Sequence, residues 1–343
     1  MRRRATRSSF FKFLPASLFG GVMGLAGLSV SWKLAAQTWR APGWIGEVIG
    51  VIAIVSFLVL AAAYLIKVIH YPLLAKAEFS HPVSVSFFAT IPISLLQIPG
   101  ILRQYDLLLA KWVWGVATVL MFLFAWIVMR KWLDNRQDPG NALPAWVLPV
   151  AGTLNVPIVG VHLPIAGVYE ICLFFYGIGI LFAIILTTIV ISRLFFQPAI
   201  PEAIQPTLLI LVATFALAFS DYEGLTGRQD IMAGVFFYFA LFLLLLFGSK
   251  IFLLPKCCPF RVTWWSVSFP LAAITVAAFH YAEFSDGRFF KVLAGILLTI
   301  STFVILYLLI QTLTKVFKGY LFLEDAAAEK ATEQLHEPQA EGK

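Results

Sequence analysis

The sequence predicts an all-α membrane protein in which ten transmembrane helices form five tandem helical hairpins around a central pore. Odd-numbered helices are expected inside and even-numbered helices outside. Three observations support this fold: the apolar content, ten charge-free windows and the placement of proline. Hydrophobic residues make up 60% of the 343 residues and charged residues 13%, whereas a soluble domain is about half apolar and a quarter charged. This composition excludes a soluble enzyme, a nucleic-acid-binding domain and a disordered chain.

Ten windows without Asp, Glu, Lys or Arg are long enough to cross about 30 Å of hydrocarbon as helices. Each run is continuous and too long for a strand, so a β-barrel is not expected. The windows are approximately 13–32, 48–66, 82–102, 112–129, 143–161, 171–192, 203–220, 231–249, 262–279 and 292–314. They divide the chain into a basic N-terminal segment, a helical domain and a charged soluble tail, with boundaries 1–12, 13–320 and 321–343.

The distribution of Lys and Arg predicts the orientation of the chain. With the N-terminus in the cytoplasm, 18 of the 25 Lys and Arg residues fall in cytoplasmic segments and 7 in outer loops. Cytoplasmic loops of membrane proteins are enriched in these residues. We therefore expect a multi-pass protein of the inner (plasma) membrane with both termini in the cytoplasm. The basic start is followed by an apolar run long enough to remain in the bilayer, so no cleavable signal peptide is evident.

Proline separates the odd-numbered windows from the even-numbered ones. The even windows contain none. Proline removes a backbone hydrogen bond and kinks a helix, and a freed carbonyl is tolerated in a membrane only where protein or water satisfies it. A general abundance of proline in membrane helices would instead scatter it over all ten windows. The prolines predicted to kink pore-lining helices are Pro15, Pro92, Pro149, Pro206 and Pro270.

A ring of five helices predicts a narrow and uncharged pore. Helix axes ~9–10 Å apart leave a central hole only a few ångström in radius. Because the middles of all ten windows lack charged residues, an ion would be bound weakly, and an ion that sheds water easily would be preferred. The histidines and cysteines show no metal-ligand spacing, so neither a metal site nor a cofactor is predicted.

Four windows carry recognisable motifs. The first reads FLPASLFGGVMGLAGLSVSW, with a proline, Phe-Gly and spaced glycines; the third reads HPVSVSFFATIPIS, with a His-Pro start and a mid-helix Ile-Pro. The fifth contains LPVAGTLNVP and the ninth WWSVSFPLAA. Across nearly all of residues 10–320, the chain resembles the tellurite-resistance/dicarboxylate-transporter family, which includes bacterial TehA and the plant guard-cell slow anion channels.

The resemblance implies a function and a set of residues. It implies an anion channel that passes small inorganic anions through a pore in each protomer of a membrane-embedded homotrimer. It also implies that Phe269 gates the pore, although the residue after the gating phenylalanine is often glycine in bacterial members and is Pro270 here. Further candidates for pore lining, all on odd-numbered windows, are Phe19, Phe87, Phe88, Asn155, Phe215 and Ser268.

Several alternatives remain open at this stage. Names within the family also suggest a proton-linked carrier of malate-like dicarboxylates or an exporter of oxyanions such as tellurite. An intramembrane enzyme would need paired polar residues at matched depth, which the windows lack, so no enzymatic activity is expected. Without the motif, Phe269 would be an ordinary packing residue, and the other phenylalanines could pack between helix layers. Asn155 could line a wet pore or satisfy a freed carbonyl.

Overall fold

The computed structural model describes residues 11–257, 260–285 and 287–318, and within these ranges the chain is helical throughout, without strands. Nine of the described helical spans are long and apolar enough to cross a membrane, and a tenth is shorter. In chain order, spans 1 to 10 are Ala16–Trp39, Trp44–His70, Ser84–Leu102, Leu107–Asp134, Pro144–Gly160, Val168–Phe196, Ile204–Thr226, Ile231–Cys257, Val262–Phe284 and Arg288–Lys318. Most of the basic N-terminal segment and the whole charged tail lie outside the described residues.

The even-numbered spans are uninterrupted α-helices. They contain 27, 28, 29, 27 and 31 residues in chain order. Spans 2, 4, 6 and 10 extend beyond their predicted windows at both ends, where charged residues continue the helix. Span 8 begins with its window at Ile231, passes Ser249 and includes Pro255 in its last turn. Only 28–33% of the most apolar stretch of each even span is buried.

The odd-numbered spans are broken near their N-terminal ends. Span 9, for example, begins with the 3₁₀ turn Val262–Val267 and continues as the α-helix Ser268–Phe284. In spans 1, 3, 7 and 9, which are long enough to compare, 61–83% of the most apolar stretch is buried. Apart from Pro255 near the end of span 8, the prolines within the spans lie in the odd-numbered ones. The breaks explain this placement, since proline fits the first turn of a helix, where its missing N–H has no intrahelical acceptor.

Each predicted kink proline lies at or beside such a break. Pro92 and Pro270 are the third residues of the helices Thr90–Leu102 and Ser268–Phe284, and Pro149 is the second residue of Leu148–Ala151. Pro15 precedes the turn Ala16–Leu18, and Pro206 lies within the 3₁₀ segment Glu202–Leu209. Three of the prolines therefore lie in the first turn of a helical segment, and the other two lie before or within a 3₁₀ segment.

Hydroxyl side chains bond the carbonyls at these breaks. Thr90 donates to the carbonyl of Phe87 at 2.6 Å, Thr153 to that of Val150 at 2.7 Å, and Ser268 to that of Trp265 at 2.7 Å. Thr90 and Ser268 also reach span 1, where they bond the carbonyls of Ala16 and Gly20. Because unsatisfied backbone groups are costly inside a membrane, these hydroxyls stabilise the broken helices.

Glycines bring span 1 close to span 9. A Cβ atom built on Gly24 would overlap the side chain of Ser268, and one on Gly27 would lie 2.7 Å from Cβ of Ala272. Span 1 also packs against spans 2 and 3, and each odd span contacts the next odd span in the chain. The small residues of span 1 therefore set its distance from span 9.

A buried ion pair holds the start of span 1. Lys67 of span 2 donates to the Leu14 carbonyl at 2.7 Å and pairs with Glu78 at 2.6 Å. Glu78 belongs to the short helix Pro72–Ser80 and also accepts hydrogen bonds from the Ala16 amide and the Tyr64 hydroxyl. One charged pair thus connects span 2, the linking helix and the segment that leads into span 1.

Lys67→Met is expected to lower the thermal stability of the detergent-solubilised protein. The substitution leaves Glu78, whose side chain is 17% exposed, without its cation, and we expect a cost of about 3 kcal/mol. The matched control is Arg130→Met, which removes an exposed pair with Asp134 at 3.6 Å and should cost less than about 1 kcal/mol. Equal melting temperatures for the two variants would contradict the structural role of the buried pair.

Candidate functional site

A cavity lies between the N-terminal halves of the five odd-numbered spans. Its void, including its mouth, is about 620 Å³. Among the described residues, each odd span contributes to the wall and no even span does. Representative lining residues, one from each odd span, are Gly20, Thr90, Leu148, Thr214 and Phe269. The cavity and the breaks in the odd spans therefore lie at the same level along the helices.

The described wall of the cavity carries no charged side chain. Its polar groups are mostly hydroxyls and one amide, contributed by Ser17, Thr90, Asn155, Thr214, Thr263 and Ser266. Several of these hydroxyls already bond carbonyls, as Ser266 does with Thr263 at 2.7 Å. An ion in the cavity would meet weak dipoles and apolar surface rather than a fixed countercharge.

Phe269 lies in the cavity wall and is 9% exposed. It is the second residue of the helix Ser268–Phe284, and Pro270 beside it also contributes to the wall. Gly27 faces the ring: a Cβ built on this glycine would lie 3.8 Å from Cδ2 of Phe269. The ring is thus held between the cavity and the close contact of spans 1 and 9.

Asn155 and Phe87 also line the cavity. The Asn155 amide nitrogen donates to the Gly152 carbonyl at 3.0 Å, and its side-chain oxygen accepts from Gln97 at 3.3 Å. Asn155 therefore borders the cavity and also satisfies a carbonyl next to a break. That it lines a water-filled pore stays a prediction.

Other predicted lining residues lie away from the cavity wall. The ring of Phe19 packs on Phe57 of span 2 at 5.7 Å, that of Phe215 on Phe239 of span 8 at 4.5 Å, and that of Phe88 on Phe79 at 5.1 Å. Ser268 is fully buried against span 1 through its bond to Gly20. Pro15, Pro92, Pro149 and Pro206 are not among the described residues that line the cavity.

The C-terminal ends of the odd spans carry titratable groups that the sequence analysis did not select. Nδ1 of His280 lies 2.8 Å from Oε2 of Glu223. Burial lowers the pKa of the nearby His162, and the charges of Arg103 and His280 lower it further. Asp221 of span 7 is 1% exposed. Its predicted window ends at Ser220, before this charged residue, whereas the helix Ile210–Thr226 of the structure includes Asp221.

Most of the chain is similar in sequence to a family of anion channels. The family profile described as SLAC1, voltage-dependent anion channel, matches residues 14–313. The S-type anion channel SLAH3 of Arabidopsis thaliana is 26% identical over 318 residues, which cover 88% of this chain and 48% of the plant protein. The guard cell S-type anion channel SLAC1 of the same plant is 25% identical, with coverages of 90% and 57%.

A bacterial protein shows similar identity over nearly its full length. The tellurite resistance protein TehA homolog of Haemophilus influenzae is 25% identical over 313 residues, which cover 91% of this chain and 93% of that protein. The chain spans about half the length of the plant channels SLAH3 and SLAC1. The resemblance noted in the motifs therefore extends over the membrane-spanning region.

Proposed function

This chain belongs to the voltage-dependent anion channel family, and on that premise we propose that it passes small inorganic anions through a path that includes the cavity of the odd-numbered spans. The observation that carries the proposal is the uncharged cavity to which all five of these spans contribute. A path between helices must be lined by residues that tolerate water, and the hydroxyl-bonded breaks supply them.

In the proposed arrangement, five hairpins surround the path, with the even spans outside. The contacts between successive odd spans, and between spans 9 and 1, support this arrangement. The excess of Lys and Arg in alternate loops supports cytoplasmic termini, which would place the cavity in the cytoplasmic half of an inner membrane. The apolar outer faces of the even spans would contact lipid and, in the proposed homotrimer, neighbouring protomers.

Phe269 is proposed to close the path. Its ring lines the cavity next to the place where spans 1 and 9 pack closely through Gly27 and Ala272. An aromatic side chain in a hole a few ångström wide blocks an ion sterically and also excludes water from the constriction. Opening requires the ring to move away from the path, and the helix break beside Pro270 places it near a point where the backbone changes direction.

The uncharged wall favours a channel over a tightly binding carrier. A carrier for dicarboxylates would be expected to hold its substrate with a buried cation, and no Lys, Arg or His contributes to the described wall. A linear current–voltage relation in reconstituted protein would support the channel. Strict proton dependence with saturation at low substrate concentration would instead support the carrier.

Nitrate is expected to be more permeant than chloride through the purified protein in planar bilayers. Because no fixed countercharge offsets the free energy of dehydration, the ion that loses water more easily should be more permeant. We expect a permeability ratio of at least about threefold, equivalent to ~0.7 kcal/mol. The measurement is the reversal potential with nitrate on one side and chloride on the other. Exchanging the cation should leave this potential unchanged. A preference for chloride would contradict a pore without fixed charge.

A further inference from the structure

Asp221 is a buried acid without a partner. Neither of its side-chain oxygens has a hydrogen-bond partner within residues 11–257, 260–285 and 287–318, and both are inaccessible to solvent. Burying an ionised carboxylate without a countercharge or hydrogen bonds is very costly, whereas the neutral acid avoids most of that cost. The surroundings of Asp221 therefore favour the form that carries a proton.

The helical register places Asp221 in line with the cavity. Ile210, Thr214 and Leu217 of span 7 all line the cavity. Residues three or four apart share one face of an α-helix, and Asp221 follows Leu217 by four residues in the same helix. It thus lies about 6 Å farther along the same face, on the side where the cavity ends and the proposed path must continue.

The titratable neighbours of Asp221 supply no positive charge. Cys172 and Tyr176 of span 6 interact electrostatically with it, and the Tyr176 hydroxyl donates to the Ala218 carbonyl rather than to the acid.

The other elements packed on span 7 also leave the acid unpaired. Span 9 brings His280, which pairs with Glu223, and span 8 brings Tyr238, whose hydroxyl accepts a bond from Tyr281. The segment after span 5 brings His162. None of these groups forms a hydrogen bond or ion pair with Asp221 among the described residues.

We propose that Asp221 is a proton-binding site in the anion path, which conducts when this carboxyl group is neutral and is blocked when it is ionised. A proton fits the site better than a metal ion, because Na⁺-like or Ca²⁺-like ions need several oxygen ligands and the described residues contain no group of three or more His, Cys, Asp or Glu side chains that could hold one. An ionised carboxylate in a narrow low-dielectric path repels an approaching anion strongly. The inference rests on the proposed function, since it requires anions to pass this point.

The first test compares the pH dependence of the current in reconstituted channels. The wild-type anion current should fall at least about tenfold as the bath pH on both sides is raised from about 5 to about 9. Asp221→Asn keeps the shape of the side chain without its charge. At every pH, this variant should carry the current that the wild type carries at about pH 5. The matched control is Asp230→Asn, close to the same end of span 7, where the acid accepts a hydrogen bond from Tyr222. The anion current of this variant should depend on pH as that of the wild type does.

The second test detects the proton itself and needs no current. Infrared spectra of the wild-type protein should contain a protonated-carboxyl band that shifts in heavy water, is absent in Asp221→Asn and is retained in Asp230→Asn. A wild-type pH response in Asp221→Asn, or a wild-type current that does not fall with rising pH, would overturn the inference. If neither the wild type nor any variant carries an anion current, the proposed function and the conducting role of Asp221 are overturned. The infrared band would then test only whether Asp221 binds a proton.

Discussion

Replacing Phe269 with alanine is expected to raise the anion current per reconstituted channel at least about tenfold, as would follow if the barrier fell by ~1.4 kcal/mol. The ring lies in the wall of the uncharged cavity, opposite Gly27. Its removal would widen the cavity at this point and leave only a methyl group in place of the ring. Single-channel recording in planar bilayers measures the effect directly.

The matched control for this experiment is Phe215→Ala. Phe215 is equally large, is 5% exposed and lies on another odd-numbered span, but it packs edge-on against Phe239 and away from the cavity wall. Both substitutions remove a mostly buried ring, and only the first is expected to increase conductance. An equal increase in both variants would show that general loosening opens the channel. An unchanged current in correctly inserted Phe269→Ala would contradict the gate.

The positions of the helices could be predicted from the sequence because the membrane imposes a length on apolar runs. The charge-free windows correspond to the spans of the structure, and the absence of proline from the even windows corresponds to five unbroken helices. The window ends were less accurate. Lys67 is helical and buried because Glu78 pairs with it, and Asp221 is helical and buried without any such partner, so a charge does not by itself end a span.

The choice among the phenylalanines could not be made from helical periodicity. Phe87 contributes to the cavity wall, whereas the adjacent Phe88 packs against Phe79. A turn separates the helix Ser84–Phe87 from Thr90–Leu102, and 3₁₀ segments interrupt spans 5, 7 and 9. Because a 3₁₀-helix has three residues per turn and an α-helix 3.6, the direction of a side chain cannot be extrapolated across a break. Phe269 was selected by its motif, which does not depend on that extrapolation.

Gly24→Leu is expected to prevent stable folding, because the close contact between spans 1 and 9 leaves no room for a side chain. Even a Cβ atom at this position would overlap Ser268, whose hydroxyl bonds the carbonyls of Gly20 and Trp265. Overpacking of this kind costs at least about 3 kcal/mol, and displacement of Ser268 would also leave a carbonyl unsatisfied at a break. The measurement is the fraction of the detergent-solubilised protein that remains monodisperse after heating, determined by size-exclusion chromatography.

Gly115→Leu is the matched control, since it makes the same substitution on span 4, where no described atom outside the adjoining backbone of its own helix lies within 4 Å of the added Cβ. Leucine has a higher helix propensity than glycine by up to about 1 kcal/mol, so this variant should be as stable as the wild type or slightly more so. Similar losses in both variants would mean that a large side chain is harmful anywhere in the helices. Loss confined to Gly24→Leu would locate the constraint at the contact between spans 1 and 9, on which the position of Phe269 depends.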